Sequence, residues 1–233
     1  MQKCRCFTGL IALAALVLAG KAEATAWQTQ NPIPTANNFN DVYCLPGAHV
    51  VAVGNAGAIF LYEPGEAAWH YLTCPPEANY NGVWGDTPNN IYAAGRGQGE
   101  YSDGAIYHYD GSSWSQVHFV QYNQIYDIWG ADGASVYAVG DGGTVLRYNG
   151  SSWSAMDIGT AQTMRGVWGL AANDVYVAGS AKVLHYNGSS WSEMTSDSSG
   201  GFQDIWCDAA NNIYAVKDTG KIFHYNGSTW SVA

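Results

Sequence analysis

Three aspartates recur at one repeat position along this chain, each ahead of an apolar–aromatic pair: Asp41-Val42-Tyr43, Asp127-Ile128-Trp129 and Asp204-Ile205-Trp206. Carboxylates converging on a common cleft could cleave glycosides, one as acid and another as nucleophile or base. Two observations weaken that chemistry. Gly82 and Gly166 hold the position in the other two repeats, and no Glu occupies an equivalent inner position. Asp alternating with Gly fits capping of a tight backbone turn better. His108, His185 and His224 also share one position, ahead of a Tyr, with Leu61 and Arg147 replacing them. They fall in different repeats and cannot readily gather on one metal; exposed strand positions account for them. The chain has no Ser-His-Asp spacing, zinc motif or phosphate loop, and Asp132-Gly133 and Asp141-Gly142-Gly143 read as turns. The expectation is a protein that is not an enzyme and uses neither cofactor nor metal.

The second candidate chemistry is aromatic stacking. All ten tryptophans fall on two positions of one repeat. The first set is Trp84, Trp129, Trp168 and Trp206, with Tyr43 in the fifth place; the second is Trp69, Trp114, Trp153, Trp191 and Trp230, with an extra copy at Trp27. Aromatic faces can stack on sugars, so Trp84, Trp129, Trp168 and Trp206 are ligand-binding candidates. Their recurrence in every unit points equally to packing between units. Loops on a rigid scaffold carry recognition, which adds the second unit's insertion. It runs from Arg96 to Gly104 and holds Glu100, Tyr101 and Asp103.

The elements that position these residues are short strands. Each unit contains apolar runs such as Val136-Tyr137-Ala138-Val139 and Thr144-Val145-Leu146-Arg147-Tyr148, bounded by Gly, Asn or Asp. These are strand signals. Asn149-Gly150, Asn187-Gly188, Asn226-Gly227 and Asp110-Gly111 predict tight hairpins, because both residues tolerate positive φ. Each unit of about 40 residues thus supplies four antiparallel strands, and five such sheets bury their faces by packing around an axis. The predicted fold is all-β, a five-bladed β-propeller, with blades over about 39–74, 80–118, 125–158, 164–196 and 202–233.

The pattern V-W-G, V-Y-A-V-G and G-x-[VI]-[LF]-x-Y-N-G-S-S-W resembles the propeller-type repeats of bacterial exported proteins across residues 39–233. Unit count and size also resemble tachylectin, a five-bladed sugar-binding propeller, without residue matches that would transfer a sugar site. The resemblance implies a fold and leaves function open.

Residues 1–24 read as a secretory signal peptide: Lys3 and Arg5, the apolar stretch Phe7 to Leu18, then Ala22-Glu23-Ala24. The expectation is a secreted, periplasmic or cell-surface protein with no membrane insertion after cleavage. Beyond residue 24, six Lys and Arg face eighteen Asp and Glu, a net charge of −12. That argues against nucleic acid as partner and is compatible with glycans or an exported protein. Cys44, Cys74 and Cys207 follow residue 24. Cys44 and Cys207 hold one repeat position in units one and five, neighbours in a closed ring, so a Cys44–Cys207 disulfide could clasp it. Pairing of Cys44 with Cys74, or free thiols, are the alternatives. Residues 25–38 carry the extra Trp27 strand. Either it or the Trp230 strand completes the fifth blade, the hairpin at Asn226-Gly227 favouring Trp230. An unpaired Trp27 strand would invite a strand-swapped oligomer.

Overall fold

The computed structural model describes residues 37–66, 68–73, 78–97, 103–197 and 199–233. Twenty strands form five four-stranded antiparallel sheets, a five-bladed β-propeller. The first blade is β1 (Phe39–Cys44), β2 (Val50–Gly54), β3 (Ile59–Glu63) and β4 (Ala68–Tyr71). The second is β5 (Asn79–Thr87), β6 (Asn90–Arg96), β7 (Gly104–Tyr109) and β8 (Trp114–Val120). The third is β9 (Ile125–Asp132), β10 (Ser135–Gly140), β11 (Val145–Tyr148) and β12 (Trp153–Ala155). The fourth is β13 (Gly166–Ala171), β14 (Asp174–Gly179), β15 (Lys182–Tyr186) and β16 (Trp191–Ser196). The fifth is β17 (Phe202–Ala209), β18 (Asn212–Lys217), β19 (Ile222–Tyr225) and β20 (Trp230–Val232). Strand order in every sheet follows chain order. The Trp230 strand therefore completes the fifth blade, pairing Tyr225 with Trp230. Trp27 lies outside the described residues.

The outer hairpins close differently from the expected two-residue turns. Gly150 is left-handed at φ 90°, while Asn149 keeps a negative φ and serves as a cap. Its Oδ1 accepts the N–H groups of Ser151 and Ser152, each at 3.0 Å. Asn187 and Asn226 repeat the arrangement, as does Asp110, whose carboxyl these bonds hold down at about 2. The outer Trp then packs on the Tyr across its own hairpin, at 5.1–5.4 Å in all five blades.

Between blades, the first strands stack in succession, β1 on β5, β5 on β9, β9 on β13 and β13 on β17. The Val-Trp-Gly motif explains the fit. A Cβ on Gly130 would lie 2.8 Å from the Trp84 ring, and one on Gly169 would lie 2.5 Å from Trp129. Each inner Trp thus fills room left by a glycine of the next blade, and burial of such rings supplies much of the core. Trp168 instead meets Cys207, whose carbonyl accepts its Nε1–H at 2.7 Å.

The Asp–Gly alternation belongs to the same interfaces. Asp41 Oδ1 accepts the Val42 N–H and its Oδ2 the Val83 N–H of the second blade, both at 2.9 Å. Asp127 does the same with Ile128 and with Val167 of the fourth blade, both at 2.6 Å. Where glycine stands, backbones close up: a Cβ on Gly82 would lie 2.9 Å from Asp127 Cα, and one on Gly166 would lie 2.8 Å from Asp204 Cα. Asp41 and Asp127 therefore cap their own strand, as anticipated, and also bolt neighbouring blades together at alternate interfaces.

No comparable packing joins β17 or β18 to β1 or β2 among the described residues. No disulfide joins Cys44 to Cys207, which corrects the expected clasp. The reason lies in the repeat itself. Cys44 alternates with Tyr43, which faces Trp84 of the second blade, so it lies on the opposite side of its strand. Cys207 alternates with Trp206 and is buried on the fourth-blade side, where burial pushes its thiol up to about 12. Equivalent side chains point the same way around the ring and cannot meet across one interface. Cys74 lies outside the described residues.

Candidate recognition surfaces

The inner tryptophans do not line open clefts. Trp84, Trp129 and Trp168 are buried between blades, and only Trp206 is half-buried. Asp41 and Asp127 are buried with both oxygens bonded to backbone N–H groups, an arrangement for joining strands rather than for moving protons. The recurring histidines are half-buried. Each stacks at 4.5 Å on a second-strand Tyr: His108 on Tyr92, His185 on Tyr176 and His224 on Tyr214. Each also bonds the side chain that opens that strand region, Asn90, Asp174 or Asn212. Burial lowers the His108 pKa. These rings brace the blade, which the sequence pattern alone did not show.

The first blade's hairpin brings Glu63, Glu66 and His70 within 4.8 Å of one another. All three are at least partly exposed, and Glu66 Oε2 lies 3.0 Å from His70 Nε2.

The insertion of the second blade is different. Arg96 ends β6 half-buried, and Gly97 N–H donates to the Asp103 carbonyl at 2.8 Å, closing the base of the loop. Glu100 and Tyr101 lie outside the described residues. Asp103 points inward, 9 % exposed, and its Oδ1 accepts the Tyr122 N–H at 2.7 Å. It thereby holds Tyr122 in the left-handed region at φ 63°, an uncommon backbone for a bulky residue. Tyr122 stands 60 % exposed, beside Phe119 at 47 % and Val117 at 37 %. Register pairs Ala105 with Phe119 and Gly104 with Val120, so the insertion's end and these apolar residues share one rim. β8 is the outermost strand of its sheet and, at seven residues, the longest of the five outer strands. Val117, Phe119 and Tyr122 break the repeat and so belong to no motif of the sequence. The signal was Val117-His118-Phe119-Val120, where the fourth strands of the third and fourth blades carry Ser154-Ala155 and Ser192-Glu193-Met194.

No family model matches this chain, and no curated protein does. Solved structures do. The chain is similar to YCF48 bound to D1 peptide at 17 % identity and a TM-score of 0.62, covering 85 % of this chain and 69 % of that one. It is similar to YCF48 from Cyanidioschyzon merolae at 14 % identity and a TM-score of 0.64, covering 86 % and 73 %. The WD40 β-propeller domain of Doa1 matches at 12 % identity and a TM-score of 0.67, covering 84 % and 67 %. At these identities the likeness establishes the propeller fold.

Proposed function

We propose that this protein is a non-catalytic binding module acting outside the cytoplasm, and that it recognises an extended segment of another protein along the rim of the second blade. The observation that carries this reading is the meeting of three exposed apolar residues, Val117, Phe119 and Tyr122, on and just beyond the longest outer strand. An outermost strand offers backbone groups for β-augmentation, while alternate side chains select the partner. Asp103 and the insertion hold one end of that rim in place. One of the similar propellers, YCF48, was solved bound to a peptide, which is in keeping with such a role. Glycan recognition through inter-blade clefts draws little support, because Trp84, Trp129 and Trp168 are buried.

Selection from a displayed random-peptide library tests the reading. Selected peptides should alternate apolar residues, and N-methylation of alternate backbone amides should abolish binding. Phe119→Ser with Tyr122→Ser should weaken binding on the order of 10–100-fold, as for loss of two interface anchors. Peptides that bind the double variant as well as the parent overturn the proposal. A glycan-array hit with no peptide selected would do the same.

A further inference from the structure

Four Asn-Gly pairs occur in the chain, at Asn81, Asn149, Asn187 and Asn226. The last three hold one place in the third, fourth and fifth blades, the turn between the third and fourth strands. There each Asn is exposed and the following Gly is left-handed, at φ 90–94°. Each Asn Oδ1 accepts the backbone N–H groups of the residues two and three positions on, at 2.9–3.0 Å. Two donors fixed on one amide oxygen do more than cap a turn. They polarise Cγ and stabilise the negative charge that Oδ1 gains when a nucleophile attacks that carbon. The nucleophile next in the chain is the glycine nitrogen, which no side chain hinders.

We propose that Asn149, Asn187 and Asn226 are self-modification sites: in the folded protein each loses its side-chain amide as ammonia and becomes an aspartate that keeps the cap. The glycine nitrogen gives its proton to solvent base and bonds to Cγ. The Cγ–Nδ2 bond breaks, and Nδ2 leaves as ammonia with a proton from water. The product is a five-membered imide. Water then adds to it, and the glycine nitrogen takes a proton back. Addition at Cγ breaks the new bond and yields Asp. Addition at the main-chain carbonyl yields isoaspartate, whose main chain is longer by one methylene. The two N–H groups activate Cγ, so the folded turn directs water there. The turn also fits the Asp product. In the second blade Asp110 holds the same place, with the Ser112 and Ser113 N–H groups at 2.8 Å and Gly111 at φ 93°. Its carboxyl is held at about 2, chiefly by the Ser113 N–H, so the charge-assisted cap is present at neutral pH. Isoaspartate fits badly. Its extra methylene lengthens the turn between the Asn149 N–H and the Ser152 carbonyl, bonded at 3.2 Å, and so works against the 5.4 Å contact of Tyr148 with Trp153. Full conversion adds three negative charges at the end of the propeller where Asp110 already lies. Asn81 is held otherwise. It is half-buried within β5, its Nδ2 donates to the Ile125 carbonyl of the third blade at 2.7 Å, and Gly82 pairs with Ala94 in the ladder. It should remain Asn until its blade opens.

Peptide mapping by mass spectrometry tests this, after prolonged incubation of the folded full chain in mildly alkaline buffer. Electron-transfer fragmentation separates Asp from isoaspartate, and the chain unfolded in guanidinium chloride is the reference. In the folded protein Asn149, Asn187 and Asn226 should convert with Asp several-fold in excess, while Asn81 stays intact. In the unfolded chain all four should convert, with isoaspartate in excess. Ser151→Pro removes one of the two donors to Asn149 Oδ1. It should raise the isoaspartate share at Asn149 and leave Asn187 and Asn226 as internal references; if this variant does not fold, the comparison of folded with unfolded parent decides alone. Intact Asn at all three turns, under conditions that convert the unfolded chain, overturns the proposal. So does the same ratio of Asp to isoaspartate in folded and unfolded protein. Conversion of Asn81 in step with the turns overturns it too, because the reaction would then belong to unfolded molecules.

Discussion

Asp127→Asn removes one oxygen from a joint between two blades and leaves the shape of the side chain intact. Asp127 is fully buried, and its two oxygens accept the Ile128 and Val167 N–H groups at 2.6 Å. An asparagine offers one acceptor; its amide NH2 would face the second N–H group. A buried donor left unmade costs about 1–3 kcal/mol, and bonds to a charged acceptor lie at the upper end. The expected loss is therefore about 2–4 kcal/mol, read as a lower urea midpoint at unchanged m-value, or a melting temperature lower by roughly 4–16 °C for a domain of this size. Asp204→Asn is the internal control. Asp204 caps Ile205 in its own strand at 2.8 Å and is only half-buried, so water offsets part of the lost bonding and its substitution should cost less. Losses within about 0.5 kcal/mol of zero for Asp127→Asn, typical of an ordinary surface change, would refute the joint. Equal losses at both positions would refute the weight given to burial.

Two further outcomes follow from the packing. Gly169→Ala should destabilise by about 1–3 kcal/mol through overpacking, because its Cβ would lie 2.5 Å from the Trp129 ring; Trp129→Leu should recover part of that loss in a double-mutant unfolding cycle. Cys207, pushed up to about 12 by burial, should be only about one part in ten thousand thiolate at pH 8, against roughly a quarter for an ordinary thiol. Its alkylation, followed by peptide mass spectrometry, should rise about tenfold per pH unit up to pH 10 and become fast only on unfolding. Rapid modification of the native protein would contradict the burial.

The strands were legible because each unit repeats the same apolar runs between the same turn residues. Register between blades was not, because it depends on which side of a strand a residue faces. Trp84 and Gly130 read as members of two repeats, yet they form one contact. The same limit applies to the expected Cys44–Cys207 clasp: a shared repeat position means a shared direction around the ring, not proximity. His108, His185 and His224 looked like surface positions because their stacking Tyr lies one strand away and their amide or carboxylate partner opens that strand. Val117, Phe119 and Tyr122 carry no repeat signal, because a repeat shows what recurs, whereas individual function sits in what does not.

The aspartates and glycines of the inner strands divide the work of joining blades. Each packed interface joins one Asp blade to one Gly blade: Asp41 to the strand of Gly82, Gly82 against Asp127, Asp127 to the strand of Gly166, and Gly166 against Asp204. Where the earlier blade carries Asp, its carboxylate spans the gap and accepts the next blade's N–H. Where the earlier blade carries Gly, the missing Cβ lets the two backbones close directly, since a Cβ there would lie 2.8–2.9 Å from the next aspartate's Cα. Exchanging Asp and Gly at one position alone would therefore both remove a buried acceptor and overfill the neighbouring interface.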